Sequence, residues 1–324
     1  MKRNLYLILF LCMLLWPTTA QIYDDFNSFN SGVFHKADGW TNGNPFNCTW
    51  RAECVSFSGG VMSLTIDRDS GSPPYKAGEY RTNNNVSYGL FEVSMKASKA
   101  LGTTSTFFTY TGPSEDNPWD EIDIEIIWRN SDGSLSQNGI MQTNYFTNGS
   151  GGHETRVNLP FDASAAFHTY AFEWLPGSIK WYVDGNLVVT ENGSRGALPS
   201  TPSKIMMNHW PGTGVDQWLG AFNGQVPKTA QYDWVRYTPA GARTPTPTLT
   251  RTPTPTQTSV PLGDVNSDNT INIIDALMTA QYYVGLNPAG FIAARADVNC
   301  NGKIDIVDAL IIAQYYVRLI TKFC

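Results

Sequence analysis

Residues 119–128 read WDEIDIEIIW, in which Glu121, Asp123 and Glu125 alternate with Ile122, Ile124 and Ile126. A β-strand sends residues i, i+2 and i+4 to one face and the intervening residues to the other. The stretch therefore predicts a strand with an acid stripe facing water and an isoleucine stripe between two packed sheets. Carboxylates spaced about 7 Å apart along a strand repel one another, so at least one should titrate above its ordinary range. A solvated acidic strand that discourages edge aggregation would show the same alternation. That reading leaves Trp119 and the aromatic-rich surroundings unexplained.

Those surroundings are short alternating segments from Tyr23 to Pro239, broken by turn signals. GLFEVSMKAS (89–98) puts Phe91, Val93 and Met95 on one face and Glu92, Ser94 and Lys96 on the other. HTYAFEWLPGSIKWYVDGNLVVT (168–190) carries two turn dipeptides, Pro176-Gly177 and Asp184-Gly185, each flanked by strand-like runs. No long helical period appears there, so the region is expected to be an all-β sandwich or barrel. The 324 residues include 28 Gly, 10 Trp, 15 Tyr and 16 Phe with 15% charged, a profile suited to flat sugar rings. A net charge of −6 gives no electrostatic footprint for nucleic acid or an anionic membrane.

The first 20 residues, with Lys2 and Arg3 ahead of an apolar run from Leu5 to Trp16 and a small-residue end at Ala20, read as a secretory signal peptide. The run is short of the ~20 residues a membrane span needs, so no membrane attachment is expected after its removal. Cys48, Cys54, Cys300 and Cys324 then remain. Export permits disulfides, and three connectivities are open; Cys48 with Cys54, the simplest, would need a turn between them.

Composition changes at 240–261, where GARTPTPTLTRTPTPTQTSVP (241–261) holds five prolines and eight threonines. Such a stretch forms no core and acts as an extended tether, leaving folded units at 21–239 and 262–324. The second is duplicated: DVNSDNTINIIDALMTAQYYVGL from Asp264 matches DVNCNGKIDIVDALIIAQYYVRL from Asp297 at 14 of 23 positions. Oxygen side chains recur at loop positions 1, 3, 5, 9 and 12. They are Asp264, Asn266, Asp268, Asn272 and Asp275 in the first copy, then Asp297, Asn299, Asn301, Asp305 and Asp308. This is calcium-loop spacing, with the carbonyl of Thr270 or Lys303 expected at position 7. Position 12 is Asp rather than Glu, and position 6 is Gly302 only in the second copy.

Each loop precedes one helix-like run, and no helix leads into it. A paired loop-helix module on a Thr/Pro linker resembles the dockerin domain of cellulosomal enzymes. The resemblance implies two calcium ions and a cohesin module on a scaffold protein as partner. It also implies recognition through Ile273-Ile274 and Ile306-Val307. Cys300 and Cys324 are expected to staple this small unit.

Two carboxyls in different protonation states are what glycoside hydrolysis requires. G-x-S-x-G and H-E-x-x-H are absent, and His35, His153, His168 and His209 lack ligand spacing. WDEIDIE (119–125) resembles the active-site signature of family 16 glycoside hydrolases, in the form carried by bacterial lichenases. FNSFNSG, KADGW, FNCTWRA, EYRT, STFFTYTGP, FTNGSGGHE, FHTYAFEW, IKWYVDG, IMMNHWPGTGVDQWLG and YDWVRY extend the similarity over residues 25–238. It implies a concanavalin-like jelly-roll sandwich with a cleft; with the leader removed, the expected product is an exported monomer. It implies Glu121 as nucleophile, Glu125 as general acid/base and Asp123 tuning both, with no cofactor needed for the chemistry. On a flat strand Glu121 and Glu125 would stand ~13 Å apart at Cα, so retaining geometry is expected only on a bent sheet.

The same resemblance implies sugar stacking on Phe107, Tyr110, Trp119, Trp210 and Trp218, and hydroxyl contacts from Asn42, Glu79, Arg81, Asn144 and Asn208. It also matches Asp233 to a structural calcium site. Three features depart from the lichenase pattern. Cys48 has no partner near Ala77 while Cys54 appears, IWRNSDGSLSQNG after Glu125 is longer, and Phe146 replaces a common tyrosine. The expected activity is retaining endo-β-1,3-1,4-glucanase. An endo-β-1,3-glucanase (laminarinase) and a non-catalytic glucan-binding protein are the alternatives.

Overall fold

The structure, a computed structural model, describes residues 21–241 and 262–323 apart from 268, 269, 287, 289, 300, 302, 317, 318 and 321. The predicted leader, most of the linker, Asp268, Cys300 and Cys324 lie outside the described residues. The chain forms two compact units, within residues 1–247 and 248–324.

Sixteen strands build the first unit: β1 (Ile22–Asp24), β2 (Phe34–Lys36), β3 (Thr49–Trp50), β4 (Val55–Ser58), β5 (Val61–Arg68), β6 (Tyr75–Thr82), β7 (Gly89–Lys96) and β8 (Thr103–Thr111) come first. They are followed by β9 (Asp120–Arg129), β10 (Leu135–Phe146), β11 (Thr155–Asn158), β12 (His168–Leu175), β13 (Ser178–Val183), β14 (Asn186–Glu191), β15 (Lys204–Pro211) and β16 (Lys228–Pro239). A single turn, α1 (Asp216–Leu219), interrupts them. One antiparallel layer runs β11-β10-β9-β8-β15-β6, with β2 on β6. The other runs β5-β16-β7-β12-β13-β14, and the end of β5 pairs with β6 to join the layers. This is the antiparallel sandwich that the alternation predicts. Both predicted turns form, joining β12 to β13 and β13 to β14. At the second, Asp184 and Gly185 have φ of 48° and 75°, the paired positive angles a tight hairpin turn needs.

The isoleucine stripe is the seam of the sandwich. Ile122, Ile124, Ile126 and Trp128 are fully buried with Phe91, Phe172, Trp174, Trp181 and Tyr232. Each buried aliphatic side chain there contributes about 1.5–3 kcal/mol. Asp120, at the start of β9, faces away from the acid stripe. Its carboxylate accepts from the backbone N–H of Asn148 (3.0 Å), Ser200 (2.9 Å) and Thr201 (3.0 Å), pinning two loops at the start of the strand.

Of the three open connectivities, the simplest, Cys48 with Cys54, does not form. Both are free, buried thiols, and burial pushes the Cys54 thiol up to about 12. Cys48 packs among Trp50, Ile66 and Ala77, where it acts as a small apolar side chain.

In the second unit, α2 (Ile273–Tyr283) and α3 (Ile306–Tyr316) pack on each other over Val265, Ala276, Met278, Val298 and Ile312. The duplication holds in detail. Asp275 accepts from Val265 N and Asn266 N through one oxygen and from Asn272 N through the other. Asp308 repeats these bonds with Val298, Asn299 and Asp305. Ile273, Ile274, Ile306 and Val307 open the two helices and are each about half exposed.

Candidate active site

Strand pairing arranges the acid face as rows. Glu121 lies between Phe146 on β10 and Tyr110 on β8, with Lys204 beyond. Asp123 lies between Asn144 and Phe108, and that row continues through Met206 to Arg81 and His35. Glu125 lies between Gln142 and Thr106, whose hydroxyl donates to Asn208 Oδ1 at 2.6 Å; Asn208 pairs with Glu79. The face is less open than expected. Asp123 is only 5% exposed, and the two glutamates are half-buried.

The three carboxyls differ in what touches them. Trp119 Nε1 donates to Glu121 Oε2 at 2.6 Å, and Asp123 shares a hydrogen bond with Glu121. Gln142 Nε2 donates to Glu125 Oε2 at 3.0 Å, and Arg156 Nε holds the Gln142 carbonyl at 3.1 Å. Burial raises all three above the usual carboxylate range: Glu121 to about 7, Glu125 to about 8 and Asp123 well upward. Asp123 rises further through the charges of both glutamates and its bond to Glu121, so these neighbours favour its protonated form. Glu121, receiving from Trp119 and Asp123, is the member best kept ionised. Glu125 has one neutral donor and feels Glu121 and Glu154, so it keeps its proton to higher pH than Glu121.

Of the expected sugar contacts, Glu79, Arg81, Asn144 and Asn208 share this face. Asn208 Nδ2 donates to Glu79 Oε2 at 3.2 Å, and Arg81 Nε donates to His35 Nε2 at 2.6 Å. Asn144 accepts from His153 N and donates to Glu154. Trp119, 38% exposed, stacks on Phe146 with centroids 4.7 Å apart, and Tyr110 is the cross-strand partner of Glu121. Asn42 sits on an exposed loop without strand structure.

Two aromatic assignments are corrected. Phe107 pairs with Ile124, so it belongs to the isoleucine face; it is fully buried against Phe172. Phe108 takes the place on the acid face. Trp210 is 3% exposed, its ring covered by Phe46 and Trp218, so it forms a wall of the face rather than an open platform. Trp218 is half-buried in the same cluster. Asp233 stands at a bulge in β16 and accepts from Ser94 Oγ at 3.4 Å. Among the described residues no group of three or more His, Cys, Asp or Glu side chains is arranged to hold a metal ion, at Asp233 or elsewhere, so side chains give the expected calcium there no support.

Sequence reasoning missed Phe108, Gln142, Arg156, Glu154, His35 and Trp40. Trp40 is 37% exposed and lies 5.0 Å from the Arg81 guanidinium. Only strand pairing reveals most of them.

The profile of glycosyl hydrolases family 16 matches residues 42–236. The chain belongs to family 16. Residues 262–316 match the dockerin type I domain. A beta-glucanase from Paenibacillus polymyxa is 52% identical over 217 residues, covering 67% of this chain and 87% of that one. A beta-glucanase from Acetivibrio thermocellus is 48% identical over 262 residues, covering 79% and 75%. The solved beta-glucanase of Bacillus licheniformis superposes with a TM-score of 0.62 at 50% identity, covering 68% of this chain and 99% of that one. A Thermotoga maritima laminarinase domain, at 20% identity and a TM-score of 0.55, shares the fold. The chain is thus a family 16 glycoside hydrolase carrying a dockerin.

Proposed function

We propose that this chain is an exported endo-β-1,3-1,4-glucanase that cuts β-1,4 bonds next to β-1,3 bonds with retention, held on a scaffold by its dockerin. The observation carrying the proposal is the acid face, where three carboxyls with different donors share one sheet bordered by Trp119, Tyr110, Asn208, Glu79 and Arg81. A Glu121 oxygen attacks the anomeric carbon as the glycosidic bond breaks, and Glu125 gives its proton to the leaving oxygen. Water then attacks that carbon, Glu125 takes the water's proton, and the bond to Glu121 breaks. Asp123, protonated, donates to Glu121 and limits charge build-up as the carboxylate is regenerated.

Mixed-linkage specificity is supported by a solved structure 46% identical over 68% of this chain whose title names it a prokaryotic beta-1,3-1,4-glucanase (lichenase). Reducing-sugar release should be rapid from barley β-glucan and low from laminarin. Release from laminarin alone would favour the β-1,3-glucanase, and release from neither a binding protein.

The dockerin loops offer hard oxygens only, the set calcium prefers. Asp297, Asn299, Asn301, the Lys303 carbonyl, Asp305 and Asp308 would hold one ion, and the first copy the other. In the first, Arg295 bonds Asp264 Oδ2 at 3.1 Å and must yield for that oxygen to serve. A chelator should abolish capture by a cohesin module; capture that persists in excess chelator contradicts the calcium assignment.

A further inference from the structure

The longer segment after Glu125 forms the β9–β10 hairpin. Its tip is fixed locally: Asn130 N bonds Ser134 O at 2.9 Å, and Asp132 Oδ1 accepts from Ser134 N at 2.9 Å. The register then slips between Leu135 and Ile140. Beside this irregularity opens a cavity of about 410 Å³ lined by Asn130, Ser131, Asp132, Ile140, Arg156 and Asn158, within the ~300–1,000 Å³ range of small-ligand sites.

Its position relates it to the carboxyls. Arg156 on β11 pairs with Gln142, which pairs with Glu125; one row on, Asn158 pairs with Ile140, which pairs with Ile127. Arg156 and Asn158 therefore share the acid face with Glu125. Glu79, Arg81, Asn208 and Tyr110 all lie on the β8 to β6 side of β9. A polysaccharide cut over β9 must cross to the other side, where β10 and β11 carry Gln142, Arg156 and this cavity. The lining suits a sugar, with amide, hydroxyl and guanidinium groups over an apolar floor at Ile140.

We infer that this cavity is a subsite for the leaving segment of the glucan, holding β-glucosyl hydroxyls through Arg156, Asn158 and Asn130. The inference rests on Glu125 being the group that protonates the leaving oxygen. Arg156 also braces Gln142 against Glu125, so Asn158 is the cleaner probe. The test compares kcat/KM on barley β-glucan, whose leaving group is a sugar, with kcat/KM on a dinitrophenyl glycoside of a glucan oligosaccharide, whose leaving group is dinitrophenolate. In Asn158→Ala the glucan-to-aryl ratio should fall 5- to 20-fold, and Asn158→Trp, which fills the cavity, should lower it further. A ratio that stays within twofold of wild type in both variants overturns the subsite. Wild-type protein inactive on both substrates would instead overturn the hydrolase reading itself.

Discussion

Replacing Glu121 with Ala should lower kcat on barley β-glucan by about 10⁴- to 10⁶-fold, the scale at which removal of a covalent nucleophile acts. The expectation follows from the donors around it. Trp119 Nε1 at 2.6 Å and the shared bond with Asp123 favour an ionised carboxylate despite its burial. Steady-state kinetics with intact folding checked by thermal melting reads this directly. Loss of less than 10²-fold would remove Glu121 from the nucleophile role.

Glu125→Gln should split substrates by leaving group. On glucan, where the leaving sugar needs a proton, kcat should drop about 10²- to 10⁴-fold. The first step on a dinitrophenyl glycoside needs no proton donor and should stay fast, giving a burst of dinitrophenol and then slow turnover. The pH dependence has a definite sign. Wild-type kcat/KM falls on the acid side as Glu121 takes up a proton, and on the alkaline side as Glu125 loses one, near its raised value of about 8. Glu125→Gln should lose the alkaline limb.

Stability follows the same groups. A carboxyl whose folded pKa is raised favours the folded state most below its unfolded value, and that contribution is lost as pH rises through the folded value. Glu125→Gln should therefore melt higher than wild type at pH 9 and alike at pH 4. A gain of ~1 kcal/mol corresponds to about 2–4 °C for a unit of this size. A variant that melts lower at both pH values would contradict the buried, unfavourable charge.

The seam of the sandwich was legible because WDEIDIEIIW fixes both of its faces by parity alone. The hairpins were legible because Asp184-Gly185 marks a turn whichever strands it joins. Phe107 and Phe108 show where this stops. Thr103–Thr111 alternates threonine with aromatics on both faces, so only pairing with β9 decides which phenylalanine meets the acids. Gln142 and Arg156 lie on strands 17 and 31 residues after Glu125, and the slip after Leu135 hides their register. The state of the cysteines was not legible for a related reason. An exported chain permits a disulfide, yet Cys48 is taken into a cluster with Trp50, Ala77 and Ile66 and both thiols stay free.

The assignment of roles to Glu121 and Glu125 has one decisive readout, the configuration of the azide adduct formed when each variant is rescued. In Glu121→Ala, azide replaces the missing carboxylate, attacks opposite the leaving oxygen and should give the α-glycosyl azide. In Glu125→Ala, with a dinitrophenyl glycoside, azide should displace Glu121 from the covalent intermediate and give the β-glycosyl azide. Proton NMR of the two products distinguishes them, and the reverse pair of configurations, or no rescue in either variant, would contradict the proposed chemistry.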